Sequence, residues 1–311
     1  MAIHQFQTPD FSLRQLQYAV AVAQTGGFGA AAALCSVSQP SLSAQVAKLE
    51  AALEVTLFLR SPRGVLLSPE GERLLPTFRA ALNAGASVEA AAATLRTPYA
   101  VPVRIAVIPT VAPYLLPAVT IATRGAEGPV LHWLELQTNE AEQALAEGRT
   151  DAILIADPLR DASLHVEELG WEPFFVAIEA EASVPDALPV EWLHDRQILL
   201  LEDGHCLRDQ TLSLCRLPNT LRSPVRATSL NTLIQMVAAG QGVSVIPSMA
   251  IAPERARTPF QTKPFVDASV GRSLSLVSLA DHPLTPVLGE IAETLRSAMK
   301  TLSSASAPVT P

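Results

Sequence analysis

The chain has 311 residues, a formal net charge of −8, an isoelectric point near 5.3 and a mean hydropathy of +0.27. This length suits two or three domains, and no uncharged apolar run approaches the ~20 residues that a membrane-spanning helix needs. The first residues lack the basic start and apolar block of a secretory signal. We therefore expect a soluble, cytoplasmic protein that does not bind membranes.

The cysteine content and the charge distribution narrow the function further. Cys35, Cys206 and Cys215 are too few for a disulfide-stabilised secreted fold, and no His/Cys cluster has zinc spacing, so we predict neither a metal nor a cofactor. Residues 1–68 carry four Lys and Arg against three Asp and Glu, whereas residues 98–311 carry 15 against 24. The low isoelectric point therefore does not exclude nucleic-acid binding by the N-terminal part.

The first part of the chain is predicted to form three helices and a β-hairpin. Apolar residues at helical spacing indicate helices over 13–23 and 28–34, and Ser38 is placed to cap a third helix. Two short strands, 57–60 and 64–67, follow. A helix, a tight turn and a polar-faced helix make a helix-turn-helix pattern, and the hairpin is typical of a wing.

The third helix carries polar side chains on the face that does not pack inward. This could be an ordinary solvated face, but the helix cap and the wing favour contact with DNA. The residues expected to contact DNA are Ser38, Gln39, Pro40, Ser41, Ser43, Gln45 and Lys48 on this helix, and Arg60 and Arg63 on the wing.

A long Ala-rich helix is predicted from Pro69 to about Leu95. It has too few polar residues to stand alone in water, so we predict that it dimerises with a partner helix. Its apolar side consists of Leu74, Leu75, Phe78, Leu82 and Val88.

Beyond this helix, strand and helix patterns alternate, which predicts two α/β lobes with parallel strands and crossover helices. The predicted domains are a winged helix-turn-helix (1–68), a dimerising linker helix (69–97), a two-lobed effector domain (98–302) and a flexible tail (303–311). Strands are predicted at 103–108, 130–136, 152–155, 174–178, 198–201, 243–246 and 274–279, and helices after Pro113 and at 140–147, 229–239 and 287–299.

Several motifs in the N-terminal part resemble the DNA-binding module of LysR-type transcriptional regulators. The resemblance implies an α+β multidomain protein with a winged helix-turn-helix, a long linker helix and two periplasmic-binding-protein-like lobes. It also implies double-stranded DNA as a partner, a dimer or tetramer on that DNA, contact with RNA polymerase, and no enzymatic activity. The matching motifs are Ser38-Gln39-Pro40-Ser41-Leu42-Ser43, Lys48-Leu49-Glu50, Leu57-Phe58 and Leu67-Ser68-Pro69-Glu70-Gly71.

A second resemblance lies in the effector domain. The segment 201–210, with a cysteine nine residues after Cys206, is similar to the redox segment of the OxyR-type hydrogen peroxide sensors within this family. The resemblance implies that Cys206 is the peroxidatic cysteine and Cys215 the resolving cysteine. It places Thr110, Thr138, His205, Asp209 and Arg272 around the peroxide.

The spacing of the two cysteines has a mechanical consequence. Peroxide is attacked by a reachable thiolate, which His205, Arg208 and Arg272 could stabilise as cations or donors. If residues 207–214 are helical, the Cα atoms of Cys206 and Cys215 lie about 13 Å apart, whereas a disulfide needs about 7 Å or less. Oxidation would then unwind the helix and shift the arrangement of the dimer on DNA.

Each of these residues also has a plainer interpretation. Cys206 could be inert and buried, His205 could fill space beside it, and Arg272 could be an exposed arginine on a strand. A small thiol could cap oxidised Cys206 in place of Cys215. Cys35, beside apolar residues at the end of the second helix, is interpreted as a packing residue.

Two other functions remain open at this point. The chain could be a LysR-type regulator that binds a small organic effector between its lobes, with incidental cysteines. It could also be a thiol peroxidase with Cys206 as its catalytic centre, although a peroxidase has no use for a helix-turn-helix.

Overall fold

A computed structural model describes residues 9–61, 64–96, 99–125, 127–157, 161–216 and 225–305. The chain divides into two compact units: Met1–Ala93 with Ala146–Arg149, and Thr94–Leu145 with Thr150–Pro311. None of the helices within the described ranges is long and apolar enough to cross a membrane.

The first unit confirms the predicted three helices, hairpin and long helix. Ser12 caps the first helix together with Gln15, and Gly26 ends it in the left-handed conformation (φ +67°). Ser36 (φ +55°) makes the tight turn between the second and third helices. The elements are α1 (Leu13–Thr25), α2 (Phe28–Leu34), α3 (Gln39–Leu53), β1 (Phe58–Ser61), β2 (Gly64–Leu67) and α4 (Pro69–Thr94).

The core of this unit is formed by the apolar sides of α1 and α3. Leu42, Val46 and Leu49 of α3 are buried against it, as the helical spacing predicts. The Glu50 carboxylate accepts hydrogen bonds from the backbone N–H groups of Leu57 (2.7 Å) and Phe58 (3.3 Å), which joins α3 to the start of the wing. The polar face of α3 is left on the outside of the unit.

The apolar side of α4 divides into a packed part and an exposed part. Phe78 is buried, and Leu74, Leu75 and Leu82 pack against the core around α1. Val88, farther along, is 70% exposed. The first half of α4 is therefore used within its own unit, whereas the second half presents apolar surface to solvent.

Gly71, in the first turn of α4, is a position where the structure excludes a side chain. A Cβ there would overlap the backbone oxygen of Leu57, which also accepts from the Ser68 N–H. We expect Gly71→Ala to lower the free energy of unfolding by about 1–3 kcal/mol, because the backbone must move to admit the methyl group. Gly289→Ala, where a Cβ meets nothing within 4 Å, is the control in urea titrations; equal effects of the two substitutions would contradict this prediction.

The second unit is built on a seven-stranded sheet. The strand order is β10-β6-β11-β5-β3-β4, with β9 also paired to β6, and β7 pairs separately with β8. Its strands are β3 (Val103–Val107), β4 (Leu131–Glu135), β5 (Ala152–Ala156), β6 (Leu164–Glu179), β7 (Leu200–Leu201), β8 (Arg226–Ala227), β9 (Ser244–Pro247), β10 (Phe260–Pro264) and β11 (Gly271–Leu279). Its helices are α5 (Ala112–Ala122), α6 (Thr138–Ala146), a 3₁₀ turn (Val190–Leu193), α7 (Cys206–Leu214), α8 (Leu230–Ala238), α9 (Ser248–Arg255) and α10 (Thr285–Ala305).

The expectation of parallel strands is correct in part. Strand β3 runs parallel to β4 and β5, and β7 runs parallel to β8. Strands β6 and β11, however, are antiparallel to each other and to their other neighbours. Strand β6 is also far longer than the predicted 174–178. Its residues 164–173 pair with β11 and its residues 174–179 with β9 and β10, so this one strand passes through both lobes.

Other elements depart from the prediction. Strand β10 and helix α9 were not predicted, because β10 has little apolar content and Pro253 interrupts the helical sequence pattern of α9. Helix α10 continues to Ala305, three residues into the predicted tail, because Ser and Ala are tolerated in a final helical turn. The rest of that tail, 306–311, lies outside the described residues.

Candidate functional site

The redox segment predicted from the sequence is a helix with one cysteine at each end. His205 occupies the N-cap of α7, Cys206 is its first residue and Cys215 its C-cap. Gly204 has a φ of +97°, and a Cβ there would overlap the side chain of Gln137, so this turn requires glycine. The N-terminus of α7 is thus brought against the end of β4 in the other lobe.

The two cysteines differ in environment. Cys206 is half-buried and lies in the first turn of α7, where unpaired N–H groups favour an anion. Cys215 is buried, and burial raises the pKa of its thiol to about 11. Cys206 is therefore the more accessible of the two cysteines, whereas Cys215 is a neutral thiol in the intact helix.

The intact α7 separates the two cysteines. Nine residues at about 1.5 Å each put their Cα atoms about 13 Å apart, and both thiols are free. Residues 207–214 are helical, as the predicted separation of the cysteines assumed. A disulfide between Cys206 and Cys215 therefore requires α7 to unwind.

Arg272 is fully buried, which shows that its interpretation as an exposed arginine is wrong. It faces Glu172, its direct partner across the β6–β11 ladder, and their charged groups lie 2.8 Å apart. The guanidinium also donates to the Thr110 hydroxyl (2.8 Å) and backbone oxygen (3.3 Å). Two of the predicted site residues, Thr110 and Arg272, are therefore in direct contact.

His205 and Thr138 present polar atoms that lack partners. His205 Nε2 lies 3.3 Å from Gln137 Nε2, while His205 Nδ1 and Thr138 Oγ1 are buried without a hydrogen-bond partner in the described part of the chain. Buried polar atoms are rarely left without a hydrogen-bond partner, so each of these two atoms is suited to contact a small polar ligand. Burial lowers the pKa of His205, and the nearby Glu202 charge opposes this shift less strongly, so the imidazole is neutral at pH 7.

The cations proposed to stabilise a thiolate are thus otherwise engaged. His205 is neutral, Arg272 pairs with Glu172, and Arg208 donates to the Leu201 carbonyl (3.2 Å) and pairs with Asp203 (2.9 Å). The feature left to stabilise an anion beside Cys206 is the N-terminus of α7.

Asp209, a further predicted pocket residue, opens onto a cavity. Its exposed side chain lines a cavity of about 770 Å³ together with Phe174, Ser213 and Gly271. The described wall of that cavity includes none of the other predicted pocket residues. Asp209 lies three residues after Cys206 on α7, so helical spacing keeps the two side chains on the same side of the helix.

The predicted DNA-contacting residues on α3 lie mostly on its exposed side. Ser38 caps the helix by accepting from the Ser41 N–H (3.4 Å), and Gln45 accepts from Gln15 of α1 (3.1 Å), which fixes its orientation. Arg63 and the side chain of Arg60 lie outside the described residues. Ser38, Gln39, Pro40, Ser41 and Lys48 are exposed, and Ser43 and Gln45 are half-buried.

Sequence reasoning assigned no role to Gln137 or Glu172. The signal for Gln137 was present, since it directly precedes Thr138 at the end of β4. Glu172 gave no signal, because its half of β6 has a polar sequence that does not resemble a buried strand. In the described part of the chain, no group of three His, Cys, Asp or Glu side chains could hold a metal ion.

Comparison with known proteins covers nearly the whole chain. Residues 13–72 match the bacterial regulatory helix-turn-helix of the lysR family, and residues 99–300 match the LysR substrate binding domain. A probable hydrogen peroxide-inducible genes activator from Streptomyces viridosporus is 38% identical over 302 residues, covering 94% of this chain and 95% of the relative. The DNA-binding transcriptional dual regulator OxyR from Escherichia coli K12 is 35% identical, with 93% and 96% covered.

Solved structures give the same result. Full-length OxyR from Pseudomonas aeruginosa with a cysteine-to-aspartate substitution is 33% identical, with a TM-score of 0.74 and coverage of 94% of this chain and 96% of that one. OxyR from Corynebacterium glutamicum with a cysteine-to-serine substitution and bound H₂O₂ is 31% identical, with a TM-score of 0.64 and coverage of 97% and 96%. The chain therefore belongs to the LysR family of bacterial regulatory helix-turn-helix proteins, and within it to the OxyR group.

Proposed function

We propose that this chain is a DNA-binding transcriptional regulator that senses hydrogen peroxide through oxidation of Cys206. The observation that carries the proposal is the contrast across α7: a half-buried cysteine at its N-terminus and a buried, neutral cysteine at its C-terminus. Thr110, Thr138, His205 and Arg272 orient the peroxide, and Asp209 acts from one turn along α7 from Cys206. The relatives named hydrogen peroxide-inducible genes activators support this function.

The redox step follows from the chemistry of thiols. The Cys206 thiolate attacks one peroxide oxygen, the O–O bond breaks, and the other oxygen leaves as hydroxide and is protonated to water. Cys215 then attacks the sulfur of the sulfenic acid, which forms the disulfide and releases a second water. Because the helix separates these cysteines, the second reaction unwinds α7 and makes it a two-state element.

The DNA-binding part of the proposal rests on α3 and α4. The α3 residues named above and the wing residues Arg60 and Arg63 contact double-stranded DNA, and the exposed half of α4 pairs with a second copy of the chain. We assign 1–68 to DNA binding, 69–97 to dimerisation, 98–305 to sensing, since α10 continues to Ala305, and 306–311 to the tail. Pairing of dimers into tetramers, contact with RNA polymerase and a cytoplasmic location complete the proposal.

One experiment tests this function directly. Reduced full-length protein is titrated with hydrogen peroxide, the state of Cys206 and Cys215 is mapped by mass spectrometry, and DNA footprints are recorded before and after. We expect a Cys206–Cys215 disulfide near one equivalent of peroxide and a shifted footprint. Unmodified cysteines at stoichiometric peroxide would favour an organic effector, and a small thiol on Cys206 would show that Cys215 is not the resolving residue.

A further inference from the structure

The turn that carries Thr110 is held at two points. It links β3 to α5, and its backbone is closed by hydrogen bonds from the Val111 and Ala112 N–H groups to the Ile108 oxygen. At one point Arg272 donates to Thr110. At the other the Tyr114 hydroxyl donates to Glu254 of α9 (3.0 Å).

Both attachments lead to the same helix in the other lobe. Glu172, which holds Arg272, also accepts from the Met249 N–H in the first turn of α9 (3.0 Å). Glu254 lies in the last turn of α9 and also accepts from Asn231 of α8 (2.8 Å). The two ends of α9 are therefore connected to Thr110 in the turn and to Tyr114 in the first turn of α5.

These connections lie in the interior of the unit. Tyr114 is 4% exposed, Glu254 1%, Glu172 2% and Arg272 0%. Burial and the Glu254 charge raise the pKa of Tyr114, so its phenol stays protonated and donates. A buried carboxylate is disfavoured unless donors satisfy it, and Glu254 is satisfied by Tyr114, Asn231 and an ion pair with Arg257.

The network also sets the direction of the Thr110 hydroxyl bond. A guanidinium only donates, so Thr110 Oγ1 accepts from Arg272. The Thr110 hydrogen is therefore available to another acceptor. In the proposed reaction that acceptor is a peroxide oxygen, and a fixed donor at the leaving oxygen stabilises the charge that develops there.

We infer that Tyr114, acting through Glu254, is a positioning residue that holds Thr110 in the orientation needed for reaction of Cys206 with peroxide. The inference rests on the proposed function. Tyr114 touches neither the peroxide nor Cys206 in this role. It acts by fixing the turn, and small displacements of an orienting group slow a reaction that needs defined geometry.

The test compares two rates on reduced full-length protein. One is the second-order rate of Cys206 oxidation by hydrogen peroxide, and the other is the rate of Cys206 alkylation by iodoacetamide, followed by site-resolved mass spectrometry. Both need the thiolate, but alkylation does not use Thr110. Tyr114→Phe removes one oxygen atom, and we expect about a tenfold slower oxidation with alkylation changed by less than about twofold.

Tyr99→Phe is the matched control, because Tyr99 also donates to a carboxylate, Glu290 (2.6 Å), but on an exposed surface. We expect it to change neither rate. A Thr110→Val background adds a second control: if Tyr114 acts through Thr110, Tyr114→Phe has no additional effect there. Glu254→Gln weakens the same hydrogen bond and replaces Tyr114→Phe if that variant does not fold; slower oxidation with unchanged alkylation is again expected.

The outcomes separate the inference from the function on which it rests. Wild-type protein that does not react with peroxide would overturn both. Rapid oxidation of wild type with an unchanged rate in Tyr114→Phe would overturn the inference alone. Equal slowing of oxidation and alkylation, or an undiminished effect in the Thr110→Val background, would also overturn it, because either result indicates a general structural role.

Discussion

Replacing Cys206 with serine is expected to abolish stoichiometric oxidation by hydrogen peroxide and the accompanying change in DNA footprint. The hydroxyl of serine does not form the nucleophile that attacks peroxide at neutral pH. Cys215 does not take over, because burial raises the pKa of its thiol to about 11 and keeps it protonated. Mass spectrometry after one equivalent of peroxide, with footprints of the same samples, measures both effects.

Two other cysteine substitutions complete this experiment. Cys35→Ser removes the half-buried cysteine of the helix-turn-helix unit and is expected to leave oxidation and footprint shift intact. Cys215→Ser is expected to leave Cys206 reactive but to stop at the sulfenic acid, detectable by a sulfenate-specific trap. Oxidation of Cys215 in the Cys206→Ser variant at the wild-type rate would contradict the assigned order of reaction.

Replacing Glu172 with leucine is expected to lower the free energy of unfolding by about 3–5 kcal/mol, because it leaves the fully buried Arg272 without its counter-charge. The substitution also removes the acceptor of the Met249 N–H. Urea titration of full-length protein, followed by a signal from the second unit, measures the effect.

Glu168→Leu provides the control for this loss, since Glu168 lies on the same strand but is exposed. We expect it to change the free energy of unfolding by less than about 0.5 kcal/mol. The double variant Glu172→Leu, Arg272→Leu removes both charges and is expected to recover part of the loss. If the single Glu172 variant proved as stable as the Glu168 variant, the buried pair would not have the assigned role.

The sequence was most informative where local physics decides the structure. Helical spacing and the Ser38 cap predicted the helix-turn-helix nearly to the residue, because helix ends depend on nearby side chains. The sequence analysis treated a helix over 207–214 as one possibility, and the structure has this helix as part of α7. Thr110 and Thr138 were predicted at strand ends, where α/β folds bind ligands.

Long-range pairing accounts for what the sequence could not supply. Strand β6 contains Gly170 and Pro173, which interrupt the strand pattern in the sequence. Pairing with β11 nevertheless keeps residues 164–173 in the strand. The burial of Arg272 follows from this pairing, because Glu172 lies directly opposite. Asp209 was grouped with the pocket by resemblance alone, and the structure shows it three residues from Cys206 on α7, at the wall of an open cavity.

The passage of β6 through both lobes bears on how the sensor transmits its signal. The lobes share the continuous strand β6. Buried hydrogen bonds from Arg272 to Thr110 and from Tyr114 to Glu254 also join them. Opening and closing of the lobes about a hinge would break these buried bonds, so it is energetically disfavoured. We therefore expect information about peroxide to leave the site through refolding of the nine-residue helix α7 while the two lobes keep their arrangement.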